Sequence, residues 1–128
     1  MGKKIKTLTL RQPWAGLVMS GAKPIENRTW RPSLTTGERF AIHAGKTLDE
    51  WPPFLDERLK VSVPDLRGMI LGTVELVGVH DVTCCTSASC EAWGMPGARF
   101  HWELADPIFL ESPVRAGGKL GLWSASLP

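Results

Sequence analysis

The stretch RGMILGTVELVGVHD, residues 67–81, constrains the fold more than any other part of the chain. Its density of β-branched residues makes it a central strand, and Gly72 and Gly78 mark bends or bulges within it. Shorter segments around it carry the same preference. KTLTL (residues 6–10) and ERFAIHAG (38–45) alternate polar and apolar side chains, the period-2 pattern of half-buried strands. RFHWELADP, IFLESPV and KLGLWSA supply two or three closing strands. In RFHWELADP, Trp102 alternates with Phe100 and Leu104 as an interior stripe.

Helical signals are few. Pro13 stands at a first helical position, WAGLVMSG follows, and Gly21 is placed to end the turn. Trp14, Leu17 and Val18 share one face of that helix. TLDEWPPFLDERLK reads as helical in its second half, where Pro52 and Pro53 permit only an interrupted helix. RPSLTTG and residues 82–98, with CCTSASC and GMPG, read as loops. The sum is an α+β chain: a small β-barrel or strongly curved sheet of about five to six strands, one early helix and a second irregular helical segment. No repeat or linker divides residues 1–128, so a single domain is expected.

A chain of 128 residues, 43% hydrophobic and 22% charged, can bury a core without disulfides or metal. No segment reaches the ~18–20 apolar residues of a membrane span, and Arg11 interrupts the only signal-like stretch. Lys6 stands where a myristoylation motif needs Ser or Thr. A cytoplasmic monomer without a membrane partner is expected. Three cysteines bunched with His80 as H-x3-C-C-x4-C (Cys84, Cys85, Cys90) argue against a disulfide framework. The group lacks the second knuckle of a zinc site, so neither metal nor cofactor is expected. Charge is unevenly spread. Residues 1–46 hold nine Lys/Arg against Glu26 and Glu38, whereas the remainder holds six against eleven acidic residues. A basic portion suits a polyanionic partner.

The segment GAKPIENRTW, residues 21–30, concentrates the chemistry. If extended, it puts Glu26, Arg28 and Trp30 on one face and Ile25 and Thr29 on the other, with Ile25 toward the core. Lys23 has the wrong parity, but a turn at the helix-to-strand junction can re-aim it. Glu26 and Arg28 then form either an exposed ion pair worth ~0–1 kcal/mol or the wall of a site. Polar groups at neighbouring element ends favour a site: Arg11, Gln12 and Trp14 at the helix opening, His43 and Lys46 at the end of the third strand. Trp93, in the 82–98 loop, is a candidate lid.

LRQPWA, GAKPIENRTW and GERFAIHAGK together resemble the ASCH domain, the homology domain of activating signal cointegrator proteins in the PUA-like superfamily. The family's G-x-K-x-x-E-x-R hallmark is complete as Gly21, Lys23, Glu26 and Arg28. GTVELVGV, FHWELADP and GLW match more loosely, so the resemblance spans nearly the whole chain. It implies a β-barrel with a cleft beside the first helix, facing RNA, another single-stranded nucleic acid or a modified nucleoside. Lys23, Glu26 and Arg28 would line the cleft, with Trp14 at its edge. Lys23 and Arg28 would hold phosphates or a carbonyl oxygen, and Trp14 or Trp30 would stack a base. The resemblance also carries an enzymatic alternative, since some small bacterial members remove the acyl group from N4-acetylcytidine with a lysine, a threonine and a glutamate. Lys23 matches the lysine; the threonine position falls on Glu26, and Glu91 is the nearest downstream glutamate. Lys23 and Glu26 would be the catalytic pair of such a hydrolase, or of a ribonuclease. A protein-interaction adaptor is the third class, with a protein as partner.

Overall fold

The computed structural model describes residues 2–128 other than 52, 54–56, 64, 86 and 96. Its elements are β1 (Lys3–Gln12), α1 (Trp14–Met19), β2 (Ile25–Arg28), β3 (Arg39–Leu48), α2 (Glu57–Ser62), β4 (Met69–Asp81), α3 (Ala88–Trp93), β5 (Phe100–Arg115) and β6 (Leu122–Leu127). The six strands form one sheet in the order β2-β5-β4-β3-β1-β6. Only β1 and β3 pair in parallel; α1 and β2 lie in the crossover between them. No helix among the described residues is long and apolar enough to cross a membrane.

The β-branched run becomes β4, flanked by β3 and β5. Its register against β5 shifts between Ile70 and Gly72 and between Leu76 and Gly78, so both glycines mark irregularities as expected. Gly72 is also a point of close approach. A Cβ there would lie 2.2 Å from the Ile108 carbonyl oxygen and 2.6 Å from Met19 Cε. The missing side chain lets α1 and the bent part of β5 close on β4. Around this contact Leu8, Met19, Phe40, Ile42, Leu71, Val74 and Trp102 form a core in which each is at most 1% exposed. Fully burying such side chains is worth roughly 1.5–3 kcal/mol each, which explains why a six-residue helix holds its place. α1 is buried beyond its expected face: Ala15 and Met19 join Leu17 and Val18. Gly21, at φ 83°, turns the chain out of the helix, and the Lys23 N–H returns to the Leu17 carbonyl.

Two expectations are corrected. A closed barrel does not form, because β2 and β6, at opposite ends of the sheet, do not pair with each other. β2 is only four residues long, and across the seam the contact from β2 to β1 is the Arg28 guanidinium on the Thr9 carbonyl, 3.4 Å, rather than a backbone ladder. The curved-sheet alternative is the one realised. The loop expected over residues 82–98 contains α3, capped by the Ser87 hydroxyl on the Cys90 N–H, preceded by a single 3-10 turn at Val82–Cys84. The helical half of TLDEWPPFLDERLK corresponds to α2, while Pro52 and residues 54–56 of that stretch lie outside the described residues. RFHWELADP and IFLESPV are one strand, β5, kinked at Asp106 with φ 51°.

Candidate functional site

The seam left by the missing barrel closure is a cleft. Its centre is Glu26, 6% exposed, with one carboxylate oxygen 3.3 Å from Lys23 Nζ and the other 2.9 Å from Arg28 Nε. Lys23, 4% exposed, also donates to the Ile25 carbonyl and lies 5.7 Å from the centre of the Trp14 ring. The turn at Gly21 does re-aim it onto the Glu26 face. The pair is not the exposed bridge of the bland alternative. Glu26 pairs in register with Trp102 and Arg28 with Phe100, both in the core cluster, so the charged face of β2 is shared with core side chains of β5. Ile25 is buried as expected, 2% exposed, on the other face of β2, where it pairs with Glu103.

Glu26 and Trp14 separate two adjoining pockets of about 390 and 400 Å³. The first is cationic, bounded by Arg11, Arg28 and Lys119, with Asp49 opposite. The second is more apolar, walled by Trp14, Trp93 and Met95, with Lys23 and Asn27 beneath. Trp14 is held by its indole N–H on Asp49 at 2.8 Å, and Arg11 meets the other Asp49 oxygen at 3.3 Å. The Trp93 wall is fastened to β2: the Asn27 amide donates to the Trp93 carbonyl at 3.0 Å and accepts from the Met95 N–H at 2.8 Å. Trp93 thus stands where the sequence suggested a lid.

Other candidate residues sit elsewhere or serve the fold. Gln12 is buried, accepting from the Gly16 N–H at the start of α1 and donating to the Leu66 carbonyl. Both His43 nitrogens are engaged, Nε2 on the Ala116 carbonyl at 2.6 Å and Nδ1 with the Thr9 hydroxyl at 3.1 Å. Since a carbonyl only accepts, Nε2 carries the proton, and Thr9 donates to Nδ1 while accepting from the Trp123 N–H. Lys46 is exposed and lines, with His43, a third groove beside Gly68 and residues 116–120, which adjoins the cationic pocket through Thr9, Arg11, Lys119 and Leu120. Trp30 packs edge-on against Trp102, ring centres 4.9 Å apart, with the Arg28 guanidinium 6.0 Å from its own ring. Glu91 is exposed on α3 and lines neither pocket. Asp49, Asn27 and Lys119 were missed by sequence reading; Asn27 lies within β2 itself, but nothing in the spacing of Asp49 and Lys119 places them beside it.

On the opposite face of β5, four side chains able to ligate a metal converge: His80, Cys85, Cys90 and His101. The hydrogen bond His80 donates to Glu103 raises His80 above the ordinary histidine range, whereas burial lowers His101.

An ASCH domain family model matches residues 8–114. The chain belongs to the ASCH domain family. Among solved structures it is similar to the ASCH protein of Zymomonas mobilis, with TM-score 0.54 at 17% identity, covering 86% of this chain and 72% of that one. Two mutants of the Zymomonas mobilis protein match at TM-scores of 0.53 and 0.54, with 16% and 15% identity, over 86% of this chain and 72% and 74% of theirs. At such identity the likeness is one of fold.

Proposed function

We propose that the seam cleft binds single-stranded nucleic acid, RNA in the first instance, one nucleotide at a time across Glu26. The observation that carries this reading is the buried Lys23–Glu26–Arg28 network at the partition between an aromatic pocket and a cationic one. A base fits between Trp14 and Trp93, and stacking of this kind contributes ~1–3 kcal/mol per base. Glu26 offers an acceptor for the base edge. The phosphate then falls toward Arg28, Arg11 and Lys119, where guanidinium groups bind two oxygens at once. The family relationship supports the same reading.

Hydrolysis of an acylated base is the second reading, resting on Lys23 in the family's lysine position. The geometry favours binding over it. The Lys23 amine donates to two acceptors, so its N–H groups rather than a lone pair meet the Glu26 carboxylate. Glu26 also occupies the place of the hydroxyl such chemistry needs. An adaptor role would leave this buried charge network without a use. Titration of short single-stranded RNA and of cytidine monophosphate, followed by tryptophan fluorescence, tests the proposal. Saturable quenching that Lys23→Ala weakens is expected. Quenching by neither ligand, together with release of acetate from N4-acetylcytidine, would replace binding by hydrolysis.

A further inference from the structure

We propose that His80, Cys85, Cys90 and His101 form a zinc site that fastens the aromatic wall of the cleft. The two histidines come from strands paired in register, His80 on β4 opposite His101 on β5. The cysteines come from the segment that joins those strands: Cys85 follows the 3-10 turn, and Cys90 lies in α3. His80 Nε2 lies 3.2 Å from His101 Nδ1, 3.4 Å from Cys85 Sγ and 3.1 Å from Cys90 Sγ; Cys85 Sγ lies 3.2 Å from His101 Nδ1. All four ligand atoms fall within 4.8 Å of one another. Tetrahedral zinc with bonds of ~2.0–2.3 Å has ligand–ligand edges of ~3.3–3.8 Å, so a small expansion of this cluster admits the ion.

The hydrogen-bond pattern supports the ion independently. His80 Nδ1 lies 3.0 Å from the Glu103 carboxylate, which accepts its proton and turns the Nε2 lone pair into the cluster. A carboxylate behind a ligating histidine is the usual outer support of a zinc site. His101 Nε2 is buried without a hydrogen-bond partner. With Nδ1 as ligand, Nε2 is the protonated nitrogen, turned away from the cluster toward the Met95 backbone. Without an ion, the two imidazoles meet nitrogen to nitrogen, each within reach of a thiol. The N2S2 donor set selects zinc over magnesium or calcium, and four protein ligands leave no open position, so the site is structural rather than catalytic. Cys85 is exposed and gives the ion a route in; Cys84, also exposed, stands outside the set. Gly94 packs on the His101 ring, where a Cβ would lie 2.6 Å from Cε1. The clip therefore continues directly into the Trp93–Met95 wall.

The test is cobalt(II) titration of the reduced 128-residue chain, with zinc competition and metal analysis. We expect saturation at one cobalt per chain, with the intense visible bands of a tetrahedral ion, a sulfur-to-cobalt charge-transfer band, and bleaching of both by one equivalent of zinc. Cys90→Ser should lose most of the charge-transfer intensity, and Cys84→Ser should keep all of it. Alkylation of the wild-type chain, which requires no variant to fold, should show zinc protecting Cys85 and Cys90 but not Cys84. Weak octahedral-type bands, equal alkylation of all three thiols with and without zinc, or a Cys85–Cys90 disulfide that persists under reductant would each overturn the site.

Discussion

At the scale of the residue, Glu26 is the group on which the site depends, because both its oxygens are occupied by cations of unequal burial. Lys23 and Glu26 are almost fully enclosed, whereas the Arg28 side chain is 25% exposed. Removing one member of a buried pair strands the other charge, at a cost of ~3–5 kcal/mol. Losing a partly exposed partner costs nearer ~1 kcal/mol. Lys23→Ala is therefore expected to destabilise the fold by several times as much as Arg28→Ala, measured by urea denaturation at neutral pH. Equal effects would mean that the Lys23–Glu26 contact contributes nothing beyond a surface bridge. For RNA binding the order need not follow stability, since Arg28 borders the cationic pocket and Lys23 the aromatic one.

Among the elements, the packing of α1 on β4 sets where the cleft's floor lies. A methyl group at Gly72 would collide with the backbone of β5 as well as with Met19, and backbone cannot rotate away. Gly72→Ala should cost ~3 kcal/mol or more, while Gly117→Ala, with open space around it, should stay within ~0.5 kcal/mol. Parallel thermal melts of the two variants decide this. The same strands show what sequence makes legible. β1, β3, β4 and β6 announce themselves through alternation or β-branching, because those patterns are local. α3 does not: its small polar residues resemble a loop, and only the Ser87 cap signals a helix start. β5 looked like two strands because of Pro107. A proline is tolerated there because β2 pairs with β5 only as far as Glu103, leaving the edge beyond it open.

For the whole molecule, closure was the illegible property. Period-2 patterning says which residues share a face, but not whether the ends of a curled sheet meet; that depends on a β2 only four residues long. The G-x-K-x-x-E-x-R residues were legible because they are close in sequence. Asp49, Lys119 and His101 were not, since each reaches its partners only through the register of distant strands. The seam also gathers Arg11, Arg28 and Lys119 on one side, whereas the acidic residues are concentrated later in the chain. RNA affinity should therefore fall linearly with salt on logarithmic axes. Arg11→Ala and Lys119→Ala should each flatten the slope by up to ~0.7, the single-strand value per phosphate contact. Slopes unchanged in both variants would remove these two side chains from the phosphate path.

Asn27 stands between Glu26 and Arg28 in sequence, yet its amide grips the segment that carries Cys85 and Cys90. One short strand thus presents the proposed nucleotide pocket on one face and holds the segment of the proposed zinc clip on the other. Two ligands that order the same segment must be reciprocal in their affinities: whatever factor zinc adds to RNA binding, RNA adds to zinc binding. The cleft would then act as a sensor of metal supply, releasing RNA as zinc is withdrawn. RNA titrations with and without a chelator read that factor directly, and identical curves would show that strand and clip act independently.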